Sequence, residues 1–120
     1  MKLIFTTAGN DLDALLDPSF GRARNFLLYD LDSGTSQVIS NQQNLNAAQG
    51  AGIQAAQTIV KAGAQALITG HCGPKAFRVL EAAGVKVYNT DAPTISEALS
   101  RFRAGQLTEA VTANVEGHWA

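Results

Sequence analysis

The stretch Ala66 to Phe77, Ala-Leu-Ile-Thr-Gly-His-Cys-Gly-Pro-Lys-Ala-Phe, admits few folds, because it passes from a buried-strand pattern through a glycine turn directly into a helix start. Leu67 and Ile68 close an apolar strand, Gly70 and Gly73 free the backbone, and Pro74 suits the first helical position, where a missing N–H costs nothing. A strand that becomes a helix this abruptly is the joint of a βα unit. His71 and Cys72, the only cysteine in the chain, sit in that joint. Lys75 follows just inside the helix, where unpaired N–H groups and the positive dipole end face outward. Such a turn can hold an anion or a soft metal, with Cys72 and His71 as metal ligands and Gly70, Gly73 and Lys75 contacting the anion. Each residue also has a plain structural use. Glycines serve any short βα turn, free cysteine is among the residues most often buried, and a single histidine is commonly a hydrogen-bonded side chain.

At 120 residues the chain is expected to form one domain with a substantial core. Residues 1–105 carry the strand and helix patterns, while 106–120 lack a clear period and read as a partly ordered C-terminal tail. A net charge of −1 gives no electrostatic basis for non-specific nucleic-acid binding. One cysteine excludes an internal disulfide framework, and Met1 to Phe5 lacks the apolar core of a signal peptide. No apolar run approaches the ~20 residues of a membrane span. The expectation is a protein of the reducing cytoplasm, with no membrane and no nucleic-acid partner.

Leu3 to Ala8 reads as a buried first strand ended by Gly9-Asn10. Asp11, Asp13 and Asp17 follow in a loop without the ligand order of a calcium site. Asp17 to Arg24 is turn-rich and sets Arg22 and Arg24 two apart, a spacing that in extended chain points both guanidiniums to one side, as a fork for an anion requires. Arginines beside a strand are equally ordinary surface residues. Asn25 to Leu31 and Thr35 to Asn41, joined through Ser33-Gly34, form a hairpin, and Asn41 to Gln49 is a polar linker. Gly50-Ala51-Gly52 opens a helix with an apolar stripe of Ile53, Ala56, Ile59 and Val60, ended by Gly63. The helix from Pro74 is expected to bury Phe77, Leu80 and Ala83 and to stop at Gly84. Val85 to Tyr88 is the next strand. Thr94 with Glu97 then forms a capping-box pattern for a helix burying Ile95, Ala98, Leu99 and Phe102.

That order predicts an α/β fold with a five-stranded mixed sheet, strand order 3-2-1-4-5, and helices on both faces. Strand two runs antiparallel to strand one, and strands one, four and five are parallel through right-handed crossovers. Ligands of open α/β sheets collect beyond the carboxyl ends of the parallel strands. That edge gathers Asn10, the helix start at Gly50 and Gly52, and Gly70 to Lys75. From Ser33 through Leu80 there is no Asp or Glu, while Lys61, Lys75 and Arg78 fall within the segment. The two helix starts are thus free of negative charge, as an anionic ligand needs.

Taken together, Leu16-Asp17-Pro18-Ser19-Phe20-Gly21-Arg22-Ala23, Gly50-Ala51-Gly52-Ile53-Gln54-Ala55-Ala56-Gln57, Ile68-Thr69-Gly70, Gly73-Pro74-Lys75-Ala76-Phe77 and Ala83-Gly84-Val85-Lys86-Val87-Tyr88 resemble the dinitrogenase iron–molybdenum cofactor biosynthesis family from Met1 to about Phe102. The resemblance implies a ribonuclease-H-like three-layer fold. It also implies non-catalytic binding or carriage of an anionic metal–sulfur cluster or its precursor, molybdenum with iron or copper. The branch of small single-domain members from anaerobes, the orange-protein branch, carries a molybdenum–copper sulfide cluster. On this chain the cluster would be held by the helix starts and by Asn10, Arg22, Arg24, Gly50, Gly52, Gly70, Gly73 and Lys75, with Cys72 or His71 as a direct ligand. A thiol at a helix start beside His71 and Lys75 should favour its thiolate, so Cys72 is expected to be solvent-reachable. The chain departs from the family pattern at Gln49, where relatives often carry His, and at His71-Cys72, where Asn and an aliphatic residue are commoner.

Two other readings stand beside the carrier. A regulatory module that binds a protein partner such as an ATPase is not separated from it by any residue. A two-metal nuclease needs converging carboxylates, and neither Leu3 to Ala8 nor Ala51 to Ala62 contains one, so no enzyme is expected. Gly50-Ala51-Gly52 follows a polar linker and lacks the third glycine of a dinucleotide fingerprint.

Overall fold

Leu3, Ile4, Phe5, Thr6 and Thr7 are all withdrawn from water, the burial of a strand covered on both faces. β1 (Lys2–Thr7) accordingly lies inside the sheet in the computed structural model, which describes residues 1–42 and 51–111. On one side β1 pairs antiparallel with β2 (Asn25–Asp30), which pairs antiparallel with β3 (Thr35–Ser40). On the other side it pairs parallel with β4 (Ala66–Thr69), and β4 with β5 (Lys86–Asn89).

The expected order holds for these strands, but the sheet has six, running β3-β2-β1-β4-β5-β6. β6 (Thr108–Glu109) returns antiparallel along β5, so the chain after Gly105 begins as sheet rather than tail. It is held by the Ala110 N–H, which donates to the Val87 carbonyl at 2.7 Å. A two-residue strand shows no alternation in sequence, which is why the periodicity missed it. The Gly50 helix start and the tail beyond Val111, Trp119 included, lie outside the described residues.

α1 (Ala51–Lys61) and α2 (Pro74–Ala82) cover one face of the sheet, and α3 (Ile95–Arg103) the other. The first core joins Ile4, Phe26, Leu67 and Val87 to Ala56 and Ile59 of α1 and to Phe77 and Leu80 of α2. The second joins Leu3, Phe5, Leu27 and Ile68 to Ile95, Ala98 and Leu99. Each fully buried Ile, Leu or Phe contributes about 1.5–3 kcal/mol. Two stripes turn slightly from expectation. Ala55 and Ala76 are buried where Val60 and Ala83 are exposed, because α1 and α2 pack on each other through their small residues as well as on the sheet. Thr94 caps α3, its hydroxyl accepting the Glu97 N–H at 3.1 Å. Gly63 and Gly84 follow α1 and α2 in the left-handed region, at φ 81° and 80°, where a side chain would be strained. No helix among the described residues is long and apolar enough to cross a membrane.

Candidate functional site

Two threonines close the carboxyl ends of β1 and β4. Thr6 Oγ1 lies 2.9 Å from Thr69 Oγ1 and 2.5 Å from the Asp17 carbonyl oxygen, and the Asp17 N–H donates to the Thr6 carbonyl at 2.7 Å. The loop after Asp17 is thereby anchored to the strand end. The Asp17 carboxylate accepts the Ser19 N–H at 2.9 Å, a turn that aims the chain back across the sheet. It then runs beside the joint between β4 and α2. The His71 N–H donates to the Pro18 carbonyl at 2.8 Å, and the Phe20 N–H donates to the His71 carbonyl at 3.3 Å. Gly70 is required by this approach, since a Cβ there would fall 2.5 Å from the Pro18 carbonyl oxygen and 2.6 Å from its Cα.

Between this loop and the two helix starts opens a cleft of about 420 Å³. Its walls are the loop from Ser19 to Gly21, the first turn of α1 at Gly52 and Ile53, and the joint at His71 and from Gly73 to Ala76. Glycine lets these pieces converge. A Cβ on Gly21 would lie 3.3 Å from Gly52 Cα, and a Cβ on Gly52 would lie 3.6 Å from the Ala76 Cβ. α2 begins with Gly73 as its N-cap and Pro74 at the first position, and no side chain caps it. The N–H groups of Lys75 and Ala76, in the first turn, have no intrahelical acceptor and belong to the cleft wall. Lys75 is exposed and makes no ion pair among the described residues. Among the described residues no Asp or Glu lines the cleft. The α2 N-terminus, one ammonium and one imidazole thus meet the first described turn of α1 at a wall otherwise built from Phe20, Ile53 and Pro74, an arrangement that attracts an anion with apolar surface.

The structure sorts the residues expected from sequence. Gly52, His71, Gly73 and Lys75 come together on the cleft. Gly70 is not part of the cleft wall; its missing side chain admits the close contact with Pro18. Arg22 and Arg24 are exposed on either side of the buried Ala23, but Arg22 lies in a turn closed by the Ala23 N–H on the Phe20 carbonyl and Arg24 lies at a bend, so the extended fork does not form; both stand off the cleft wall and make no ion pair among the described residues. Asn10 is exposed and off the wall as well, and Gly50 lies outside the described residues.

Cys72 reverses its expectation. The side chain is 1% exposed and belongs to the core with Phe20, Ala76 and Phe77. Burial pushes its thiol up from 9.0 to about 12, so loss of hydration outweighs the helix dipole and the thiolate is disfavoured. Successive residues of the joint face opposite ways: His71 looks outward and Cys72 inward. Ser19, Phe20, Gly21 and Ile53 are wall residues that no sequence motif marks as a binding site. Their one local signal was the Asp17-x-Ser19 turn, which shows that the chain reverses but not what it then touches.

The chain matches the family pattern described as dinitrogenase iron-molybdenum cofactor over residues 1–105. It is 32% identical over 95 residues to an uncharacterised protein of Methanocaldococcus jannaschii, a match spanning 77% of this chain and 80% of that one. Among solved structures it is similar to the apo form of the orange protein from Desulfovibrio gigas, with a TM-score of 0.92 and 40% identity over 95% of this chain and 96% of that one. It is also similar to a Thermotoga protein described as a NifB candidate of the DUF35 family, with a TM-score of 0.84 and 36% identity over 97% and 98% of the two chains. Sequence and fold therefore agree in one assignment: this chain belongs to the dinitrogenase iron–molybdenum cofactor family.

Proposed function

We propose that this protein binds and carries, without catalysis, an anionic metal–sulfur cluster or its precursor, containing molybdenum with copper or iron, as cargo in the cleft between the α1 and α2 N-termini. The observation that carries this reading is the convergence of the α2 N-terminus, the first described turn of α1 and Lys75 on a wall without acids among the described residues. Phe20, Ile53 and Pro74 suit a large, polarisable and weakly hydrated anion, which gains from apolar contact. Among the described residues no group of three or more His, Cys, Asp or Glu could hold a metal ion. Among the described residues His71 is the one imidazole on the wall, and Cys72 faces the core. This donor set fits a preassembled cluster, held by charge and N–H donors with His71 as a direct contact, better than a bare cation. Arg22 and Arg24, outside the wall, steer the anion inward. Membership of the family and the 40% identity to the orange protein support the same reading.

The test is anaerobic reconstitution with tetrathiomolybdate and Cu(I), followed by gel filtration with visible absorption and metal analysis. Wild type should co-elute with a coloured, metal-bearing species, and Lys75→Glu should weaken binding roughly tenfold or more, as loss and reversal of a charge-assisted contact imply. A folded wild type that elutes colourless and metal-free sinks the proposal.

A further inference from the structure

The two edges of the sheet are built differently. At one end β6 is only two residues long, and short edge strands resist pairing with other chains. At the other end β3 is six residues, Thr-Ser-Gln-Val-Ile-Ser, paired with β2 along its full length without a bulge. It contains no charge and no proline, the usual protections of an open edge. Thr35, Ser36, Gln37 and Val38 are exposed.

The hydrogen-bond phase of the ladder shows which groups face outward. Asn41 N–H donates to the Arg24 carbonyl at 2.8 Å, one step beyond the Asn25–Ser40 pair. Antiparallel ladders alternate bonded and non-bonded pairs. The bonded pairs are therefore Phe26–Ile39, Leu28–Gln37 and Asp30–Thr35. On the other side of β2 the phase agrees, since the Leu31 N–H donates to the Met1 carbonyl and so assigns the odd residues of β2 to β1. Ser36 and Val38 consequently turn their N–H and C=O groups away from β2, toward the edge that no strand covers among the described residues.

We propose that this edge is a self-association surface, on which β3 of a second copy pairs antiparallel about a two-fold axis at Gln37. In that register the Ser36 N–H and C=O meet the C=O and N–H of the partner's Val38, and the symmetric pair repeats the exchange. Both outward pairs in Thr35–Ile39 are satisfied by their own copies. The two Gln37 side chains stand opposite each other, where amides can hydrogen-bond across the seam. Charge favours the antiparallel sense. Parallel pairing would set the two exposed Arg24 side by side, whereas antiparallel pairing brings each Arg24 toward the other copy's hairpin end, where Asp32 is paired with the Met1 ammonium at 2.8 Å and Asp30 lies opposite Lys2. A strand edge of this length buries on the order of a few hundred Å² per copy, below what stable complexes bury, so the association is weak and concentration-dependent.

The test joins sedimentation equilibrium to amide exchange followed by NMR on the full chain, from low micromolar to millimolar protein. The expected result is a monomer–dimer equilibrium in which the Ser36 and Val38 amides become protected as concentration rises. The Gln37 and Ile39 amides, bonded to β2, should be protected throughout. Val38→Pro removes an outward N–H that edge strands can lose, and should leave a folded monomer. Val38→Lys brings like charges diagonally across the axis and should raise the dissociation constant about tenfold or more. A wild type that stays monomeric at millimolar concentration with fast Ser36 and Val38 exchange overturns the proposal and leaves the edge to a strand from another protein. Self-association undiminished in folded Val38→Lys also overturns it, by placing the contact elsewhere.

Discussion

Thr6 and Thr69 meet hydroxyl to hydroxyl at 2.9 Å, both side chains wholly out of water, at the point where two parallel strands end. Through the Asp17 carbonyl the same Thr6 oxygen ties down the loop that forms one wall of the cleft. A polar pair buried this deeply is tolerated because its bonds are made within the protein. Its removal should be felt at the cleft as well as in stability.

Thr6→Val keeps the shape of the side chain and removes the oxygen. It should cost about 1–3 kcal/mol, the usual consequence of leaving buried partners unsatisfied. Urea unfolding measures the loss. Amide exchange at Ser19 and His71 should quicken at the same time, since the loop loses its anchor. An unchanged midpoint would show that water replaces the hydroxyl without cost.

Gly70 and Gly73 make a contrasting pair. Gly70→Ala forces a Cβ against Pro18 backbone and should destabilise by about 1–3 kcal/mol, as overpacking does. At Gly73 a Cβ meets nothing within 4 Å and the backbone, at φ −70° and ψ 168°, suits any residue. Gly73→Ala should therefore cost no more than about 1 kcal/mol, the difference between glycine and alanine at an N-cap, yet weaken anion binding, because the new methyl stands on the cleft wall. Equal stability losses in the two variants would refute this division of roles.

Cys72 should react slowly with alkylating agents in the folded protein at neutral pH. Its folded pKa, about 12, is raised above the ordinary 9.0. The sign follows directly. Below pH 9 the thiol is protonated in both states and stability is full; as pH rises from 9 toward 12 the unfolded chain ionises first and stability falls, by up to about 1.4 kcal/mol per pH unit. Cys72→Ala should flatten that alkaline decline in pH-dependent urea unfolding. Cys72→Ser should retain a reconstituted cluster while losing stability, and loss of the cluster from folded Cys72→Ser would restore the cysteine as a ligand.

Arg22 and Arg24 test steering against holding. Arg22→Glu with Arg24→Glu should leave the melting temperature nearly unchanged, since exposed, unpaired charges add little stability. The on-rate of a thiomolybdate anion should fall, together with its salt dependence. Lys75→Gln, on the wall itself, should instead raise the off-rate. Stopped-flow absorption separates the two, and an off-rate change confined to the arginine variant would reverse the assignment.

What the sequence determined by itself was local. Apolar runs marked β1, β2, β4 and β5, the Ser33-Gly34 turn marked β3 as the return of a hairpin, glycines marked helix ends, and the Thr94–Glu97 spacing marked the α3 cap, because each reflects backbone preference or a periodicity within a few residues. The joint from Gly70 to Lys75 was legible for the same reason: glycine and proline announce a turn into a helix. Tertiary structure decided which way each side chain of that joint faces. Cys72 turned inward because the core beneath α2 had room for a small apolar group there, and burial then set its chemistry against the thiolate. Packing alone brought Phe20 and Gly21 against Gly52, residues far apart in the chain, and so made a cleft whose walls no single segment encodes. β6 belongs to the same class, since two residues have no period and become a strand only by finding the open edge of β5.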